Sequence, residues 1–274
     1  MNFCREAQEC LPWLSLKLRY QAHNEQRDSD SLATLRLVPS TPTQEAIDRH
    51  PHLAEECPDG WVRVDFHSHT MWSGDSTTTP DEILRCVVES GIDVLCVTDH
   101  HAVKGAFELK KDLPCRVIIG EELKTYAGEI IGLFLNERVP QGIPPREAAE
   151  LIRSQGGLVY IPHPFDPLRN NLRPEVLDEL VSAGLVDGIE VMNGKTSLSS
   201  LNRKASDYAK EHGLAIGAGS DAHIAEALGS AYLEMPDFQT VSQFLDGMRQ
   251  GVPVGHYYDP PRQWRPRIVP STVE

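Results

Sequence analysis

The chain predicts an α/β fold with a mostly parallel sheet, open or closed into a barrel, and three observations carry that expectation. From Trp61 onward, short strand-like runs alternate with amphipathic helical stretches. Helix starts are well marked, as in Thr79-Pro80-Asp81-Glu82, where a capping hydroxyl precedes a proline and two acids. Metal-competent side chains recur where the strand runs end. Repeated β-α alternation favours parallel strands joined by right-handed crossovers.

Residues 1–60 differ from the rest. Gln21–Asp30 is polar and charged, Pro39–Thr43 is turn-like, and His50–Asp59 is acidic with two prolines. This stretch is expected to be an extension, partly disordered or packed on the barrel, with one short helix near Gln44–Arg49. The regular domain is expected over 61–258. Its elements run Val62–His67, Pro80–Ser90, Ile92–Thr98, Arg116–Gly120, Glu129–Leu135, Pro145–Gln155 and Leu158–Ile161. They continue with Pro174–Ala183, Gly188–Val191, Ser197–His212, Leu214–Ala218, Ala231–Glu234 and Phe238–Arg249. Residues 259–274 form a proline-punctuated, arginine-containing tail.

Composition bounds the function. The 274 residues, 40% hydrophobic and 24% charged, suit one large α/β domain or two small ones. A net charge of −14 argues against a broad basic face for duplex DNA, yet leaves room for a small phosphate ester or a nucleic-acid end. No apolar run approaches the roughly 18 residues that a membrane span needs. Cys10–Leu18 is too short for a signal peptide and is broken by Pro12, Ser15 and Lys17. Cys4, Cys10, Cys57, Cys86, Cys96 and Cys115 include no Cys-x-x-Cys pair and read as free thiols of a reducing cytoplasm.

The first strand run alternates. Val62, Val64 and Phe66 share one face, while Arg63, Asp65, His67 and His69 share the other. Two imidazoles on one face make a clamp for a divalent ion. Further strand runs lead to Asp99-His100-His101, Gly120-Glu121-Glu122, Pro162-His163-Pro164 and Ser220-Asp221-Ala222-His223, and one carries Glu190. In a closed β/α barrel these ends meet at one mouth, where such folds build their sites. His67, His69, His100, His163 and His223 fall there, five of eleven histidines. His23, His50, His52, His101, His212 and His256 read as surface or loop residues. Any one strand-end histidine is commonly structural; their joint recurrence points to a metal site.

His67-Ser68-His69-Thr70, Thr98-Asp99-His100, Gly120-Glu121-Glu122, His163-Pro164 and Gly219-Ser220-Asp221-Ala222-His223 resemble, in order, the motifs of the PHP (polymerase and histidinol phosphatase) family. The match runs from about Trp61 to at least His223. The resemblance implies a distorted (β/α)7 barrel that holds two or three divalent ions and hydrolyses phosphoesters. It implies a ligand set of His67, His69, Asp75, His100, Glu122, His163, Asp221 and His223, with Glu122 bridging. Glu129 stands where many relatives carry a histidine, and two readings of it stay open: an oxygen ligand or a solvated strand-start charge. A donor set without thiolates suits Zn²⁺, Mn²⁺ or Fe²⁺ alike.

Such ions supply an activated water and clamp the transferring oxygens. Glu122, Asp221 and His223 are the expected catalytic residues, with His223 or a metal-bound water protonating the leaving group. Asp65 and Glu190 are candidate acceptors that orient imidazoles, or else capped carboxylates. Lys195 and Arg203 are the expected substrate-binding cations, ahead of Lys124 and Arg169. The expected activity is phosphoester hydrolysis at a nucleotide or an oligonucleotide 5′ end, of exonuclease or nucleoside bisphosphate phosphatase type. Three alternatives stand beside it: a histidinol-phosphate-type phosphatase, a silent metal-bound interaction module, and an amidohydrolase. No lysine suited to bridge metals at mid-barrel supports the last.

Overall fold

The computed structural model describes residues 41–261. Most of the expected N-terminal extension, with Cys4, Cys10 and His23, and the tail from residue 262 lie outside the described residues.

Helix α1 (Gln44–Arg49) is capped by the Thr43 hydroxyl, which accepts from Ala46 N. A 3-10 turn follows over Pro51–Ala54. Thr43 N donates to Glu89 O, and Ala46 and Leu53 pack with Ile92 and Tyr232, so this stretch is fastened to the barrel. The next elements are β1 (Trp61–Ser68), α2 (Pro80–Ser90), β2 (Val94–Val97), α3 (Lys104–Asp112), β3 (Arg116–Thr125) and β4 (Gly128–Leu133). After them come α4 (Pro145–Ser154), β5 (Leu158–Ile161), α5 (Pro174–Ser182), β6 (Gly188–Asn193), α6 (Ser199–His212) and β7 (Ala215–Gly219). β8 (Ala231–Pro236), α7 (Val241–Gln250) and β9 (Val252–Gly255) complete the described elements. The Thr79 motif forms a full capping box, with Thr79 and Glu82 serving each other's backbone N–H.

The sheet order is β7-β6-β5-β4-β3-β2-β1-β8-β9. β7 and β1 then meet: Asp221 N donates to His67 O at 2.7 Å, and His69 N donates to Ala222 O at 2.9 Å. Seven strands thus close into a distorted barrel, and β8 and β9 extend β1 as antiparallel additions. The mostly parallel expectation holds, with one reversal inside the barrel. β4 runs antiparallel to both β3 and β5, because only Tyr126 and Ala127 separate it from β3, too few residues for a crossover. Helix α3 was not expected from the pattern.

Neighbouring strand residues serve two cores. Val94 and Cys96 pack with Phe66, Tyr160 and Phe244, whereas Leu95 and Val97 pack with the helix residues Ile83, Val87 and Leu109. A strand layer buried on both faces does this. Val62, Val64 and Phe66 share one cluster, as alternation predicts. The pairing of β1 with β2 slips between Asp65 and Ser68, so the simple pleat ends just before the two histidines. Cys57, Cys86, Cys96 and Cys115 are free thiols. No helix among the described residues is long and apolar enough to cross a membrane.

Candidate metal centre

The strand ends converge. His67 Nε2 lies 3.1 Å from His69 Nε2 and 3.1 Å from Glu122 Oε2. His69 Nε2 is 3.2 Å from the same oxygen. The other oxygen of Glu122 faces His163 Nε2 at 3.0 Å. His223 Nε2 faces Asp75 Oδ2 at 2.7 Å, and His100 Nε2 is 3.6 Å from that oxygen. Asp221 Oδ1 is 3.6 Å from His69 Nε2 and 3.8 Å from His67 Nε2.

The backbone is shaped for this convergence. His163 and Asp221 both have positive φ, 29° and 50°, a cost that surrounding structure must offset. Gly219 is required where β7 presses on β1: a Cβ there would meet His67 Cβ at 2.5 Å.

Partners on the far sides of the rings set how each imidazole is turned. His67 Nδ1 faces Glu190 Oε1 at 3.2 Å and donates to it, which turns Nε2 into the cluster. His223 Nδ1 lies 2.8 Å from the Asp221 carbonyl oxygen. Ser73 Oγ donates to Asp75 Oδ1 and lies 3.2 Å from His69 Nδ1. These three imidazoles turn their Nε2 atoms toward carboxylate oxygens. Asp65 follows the second of its two readings, a carboxylate capping backbone N–H groups. It accepts from Ser220 N, Ser220 Oγ and His67 N, so it fixes the loop that carries Asp221 rather than orienting an imidazole.

Charge within the cluster is tightly coupled. Burial works to raise Glu122, but the His67 and His100 imidazoles overrule it and hold the carboxyl well below its usual range. Burial opposes a proton on His67, yet Glu122, Asp221 and Glu190 raise it well above the ordinary value. Burial and then His223 push His69 down to about 3. Glu129 is buried rather than solvated, 4% exposed, and burial and nearby Glu122 push it up to about 7.

Four donor groups fall within 4.8 Å: His69-Asp75-His100-His223, His67-His163-Asp221, His67-His69-Glu122 and Glu122-Glu129-His163. Glu122 belongs to two of them through different oxygens. Imidazole nitrogens and carboxylate oxygens gathered at 2.7–3.8 Å, a donor set without thiolates, fit several divalent cations.

The comparisons with known proteins agree with this geometry. A model of the PHP domain matches residues 65–161, and one described as PHP-associated matches residues 199–253. Two uncharacterised Methanocaldococcus jannaschii proteins are similar to the chain. MJ1587 is 39% identical over 145 residues, which cover 48% of this chain and 82% of that protein. MJ0417 is 34% identical over 196 residues, 68% of this chain and 78% of the other. The chain belongs to the PHP family. A similar fold occurs in a two-domain protein from Bacteroides vulgatus, described as containing a predicted PHP-like metal-dependent phosphoesterase. Its TM-score is 0.59 and its identity 21%, over 73% of this chain and 68% of the other.

The expected cations divide. Lys195 is buried and lies against the PHP cluster, with Nζ 3.3 Å from Asp221 Oδ1 and 3.0 Å from His223 Nδ1. Arg203 is exposed on α6, and among the described residues no hydrogen bond or ion pair joins it to the cluster. Arg169, ranked behind both in the sequence, reaches in instead: its Nε lies 3.7 Å from Asp221 Oδ2 and makes no hydrogen bond. Lys124 is exposed and 3.7 Å from Glu129. Sequence reasoning also passed over Asn193, which donates to Glu190 and to Asp221 and accepts from Lys195 N.

Proposed function

We propose that this protein hydrolyses a phosphate ester, with the terminal phosphate of a nucleotide or an oligonucleotide 5′ end as the reacting group. The observation that carries the reading is the convergence of Lys195 and Arg169 on Asp221, at the edge of a cluster in which Glu122 serves two donor groups. Two fixed cations beside metal-competent carboxylates suit a tetrahedral dianion. A neutral amide would present no anionic oxygens to these two cations, which disfavours an amidohydrolase.

Divalent ions bound by the cluster would lower the pKa of a water and clamp the oxygens of the displacement. The chain's own groups do the rest. His67, His69, His100, His163, Asp75, Asp221 and His223, with Glu122 and Glu129, would hold the ions. Lys195 and Arg169 bind the non-bridging phosphate oxygens. The water oxygen bonds to phosphorus as the ester P–O bond breaks, and the proton that the water gives up balances the one taken up by the ester oxygen, which departs as an alcohol. His223 is assigned to the ligands because both of its nitrogens are engaged. Burial of His67, His69 and Glu122 favours a terminal phosphate over one inside a duplex, and the net charge of −14 points the same way.

A phosphate-release screen over nucleoside bisphosphates, short oligonucleotides, and sugar or amino-alcohol phosphates tests the proposal. The expected result is preferential release from nucleotide ends, abolished by chelation and restored by Mn²⁺ or Zn²⁺. Preference for an amino-alcohol phosphate would favour the metabolite phosphatase, and no turnover of any ester would favour the silent module. Activity that survives thorough chelation would overturn the mechanism.

A further inference from the structure

A second set of histidines lies away from the mouth. His50, His52 and His256 were expected at the surface or in loops, and His50, at the end of α1, is fully buried. The reason is tertiary: the end of α1 and the 3-10 turn pack under the segment that follows β9. Ring centroids are 5.2 Å apart for His50 and His256, 5.1 Å for His52 and His256, and 6.1 Å for His50 and His52.

The tautomers follow from the partners. His50 Nε2 donates to Glu226 O and His52 Nε2 donates to Gly229 O, both at 2.9 Å, and a carbonyl only accepts. Each Nδ1 therefore carries a lone pair in the neutral ring. His256 Nδ1 faces His52 Nδ1 at 3.2 Å, so the two share one proton. His50 Nδ1 is buried with no hydrogen-bond partner. Among the described residues, the donor groups compact enough for a metal are all at the mouth, so this trio is not assigned an ion.

We propose that the trio is an acid-sensitive latch, fastening the segment Gly255–Pro261 to the α1 and 3-10 stretch near neutral pH and releasing it on acidification. A proton on His50 Nδ1 adds a buried charge without an acceptor, and a second proton between His52 and His256 sets two N–H donors face to face. The surroundings do not relieve this. Arg49 from α1 and Arg63 from β1 repel added charge. Tyr258 from the segment and Tyr232 from β8 present rings to His50 and His52. Glu226 has its carboxylate bonded by Arg85 at 3.1 Å, which leaves Glu55 as the other acid acting on the trio.

Burial is the main cause that takes His50 down to about 4, with its two histidine neighbours adding to it. A histidine lowered in the folded state stabilises fully above its ordinary value near 6.5 and loses that contribution as pH falls toward 4. The segment also touches the mouth: Tyr258 N donates to Gly194 O at 2.7 Å, one residue before Lys195. Opening the latch loosens that anchor.

Hydrogen exchange of the full chain between pH 7 and pH 5, corrected for intrinsic rates, tests the latch. The expected result is about a twenty-fold loss of protection at the His256 and Tyr258 amides, from His50 alone. The exposed-site control H212Q should lose as much, whereas H50L should lose little. H50Q, which also removes the titrating ring, serves where H50L does not fold, and should likewise blunt the pH dependence. Flat protection in the wild type, or equal loss in every variant in step with metal release, would overturn the latch.

Discussion

The mouth and the latch are both built from histidines, and the partners of those histidines separate their chemistry. At the mouth, imidazoles face carboxylates: Glu122, Asp221 and Glu190 surround His67 and raise it well above its ordinary value. In the latch, imidazoles face each other and backbone carbonyls, and burial takes His50 down to about 4. The first arrangement gathers cations, and the second excludes them. Adjacent glutamates on β3 repeat the lesson. Glu122 sits among imidazoles and stays ionised. Glu121 accepts from Val139 N in an apolar setting, and burial pushes it up to about 7.

The sharpest way to break this comparison is to neutralise the two glutamates separately. E122Q should lose bound metal and lower kcat/KM by about 10³-fold or more, since it removes an oxygen donor from two groups at once. E121Q should keep the metal and the activity. A smaller effect is expected for E190Q, which leaves the ligands in place but loosens His67. Metal affinity should fall about 10- to 100-fold, read by titration with a competing chelator.

Lys195 and Arg169 test which cations belong to the mouth. K195A and R169A should each lower kcat/KM for a phosphate ester by about ten-fold or more, from loss of a charge-assisted bond, while R203A should leave it unchanged. Equal effects in all three would remove the distinction. The smallest effect concerns stability. A buried carboxyl raised to about 7 stabilises below its ordinary value and loses that contribution as pH rises through 7. E121Q should therefore raise the melting temperature at pH 8 by about 5 °C, corresponding to about 2 kcal/mol, and change little at pH 4.

Much of this was legible in the sequence because strand-end positions are local. His67-Ser68-His69, Asp99-His100, Glu122, His163 and Asp221-Ala222-His223 each follow a short apolar run, and a closed barrel brings such ends together. Helix α1 was expected near Gln44–Arg49, just after the turn-like stretch that ends at Thr43. Helix α3 was hidden, since Val103 provides no capping side chain and Lys110-Lys111-Asp112 reads as loop. The reversal at β4 escaped because Tyr126-Ala127 lacks the Asn-Gly type of hairpin signal. The latch was illegible for a different reason: His52 and His256 meet across 204 positions, and no spacing rule connects them. Lys195 and Arg203 look alike in the chain; only packing buries one and exposes the other.

Metal content per chain, measured by plasma emission on purified wild type, E121Q and E122Q, tests the central claim most directly. The account predicts two or three divalent ions in the wild type and E121Q, and fewer in E122Q. A metal-free wild type that still releases phosphate, or equal metal in all three proteins, would contradict it.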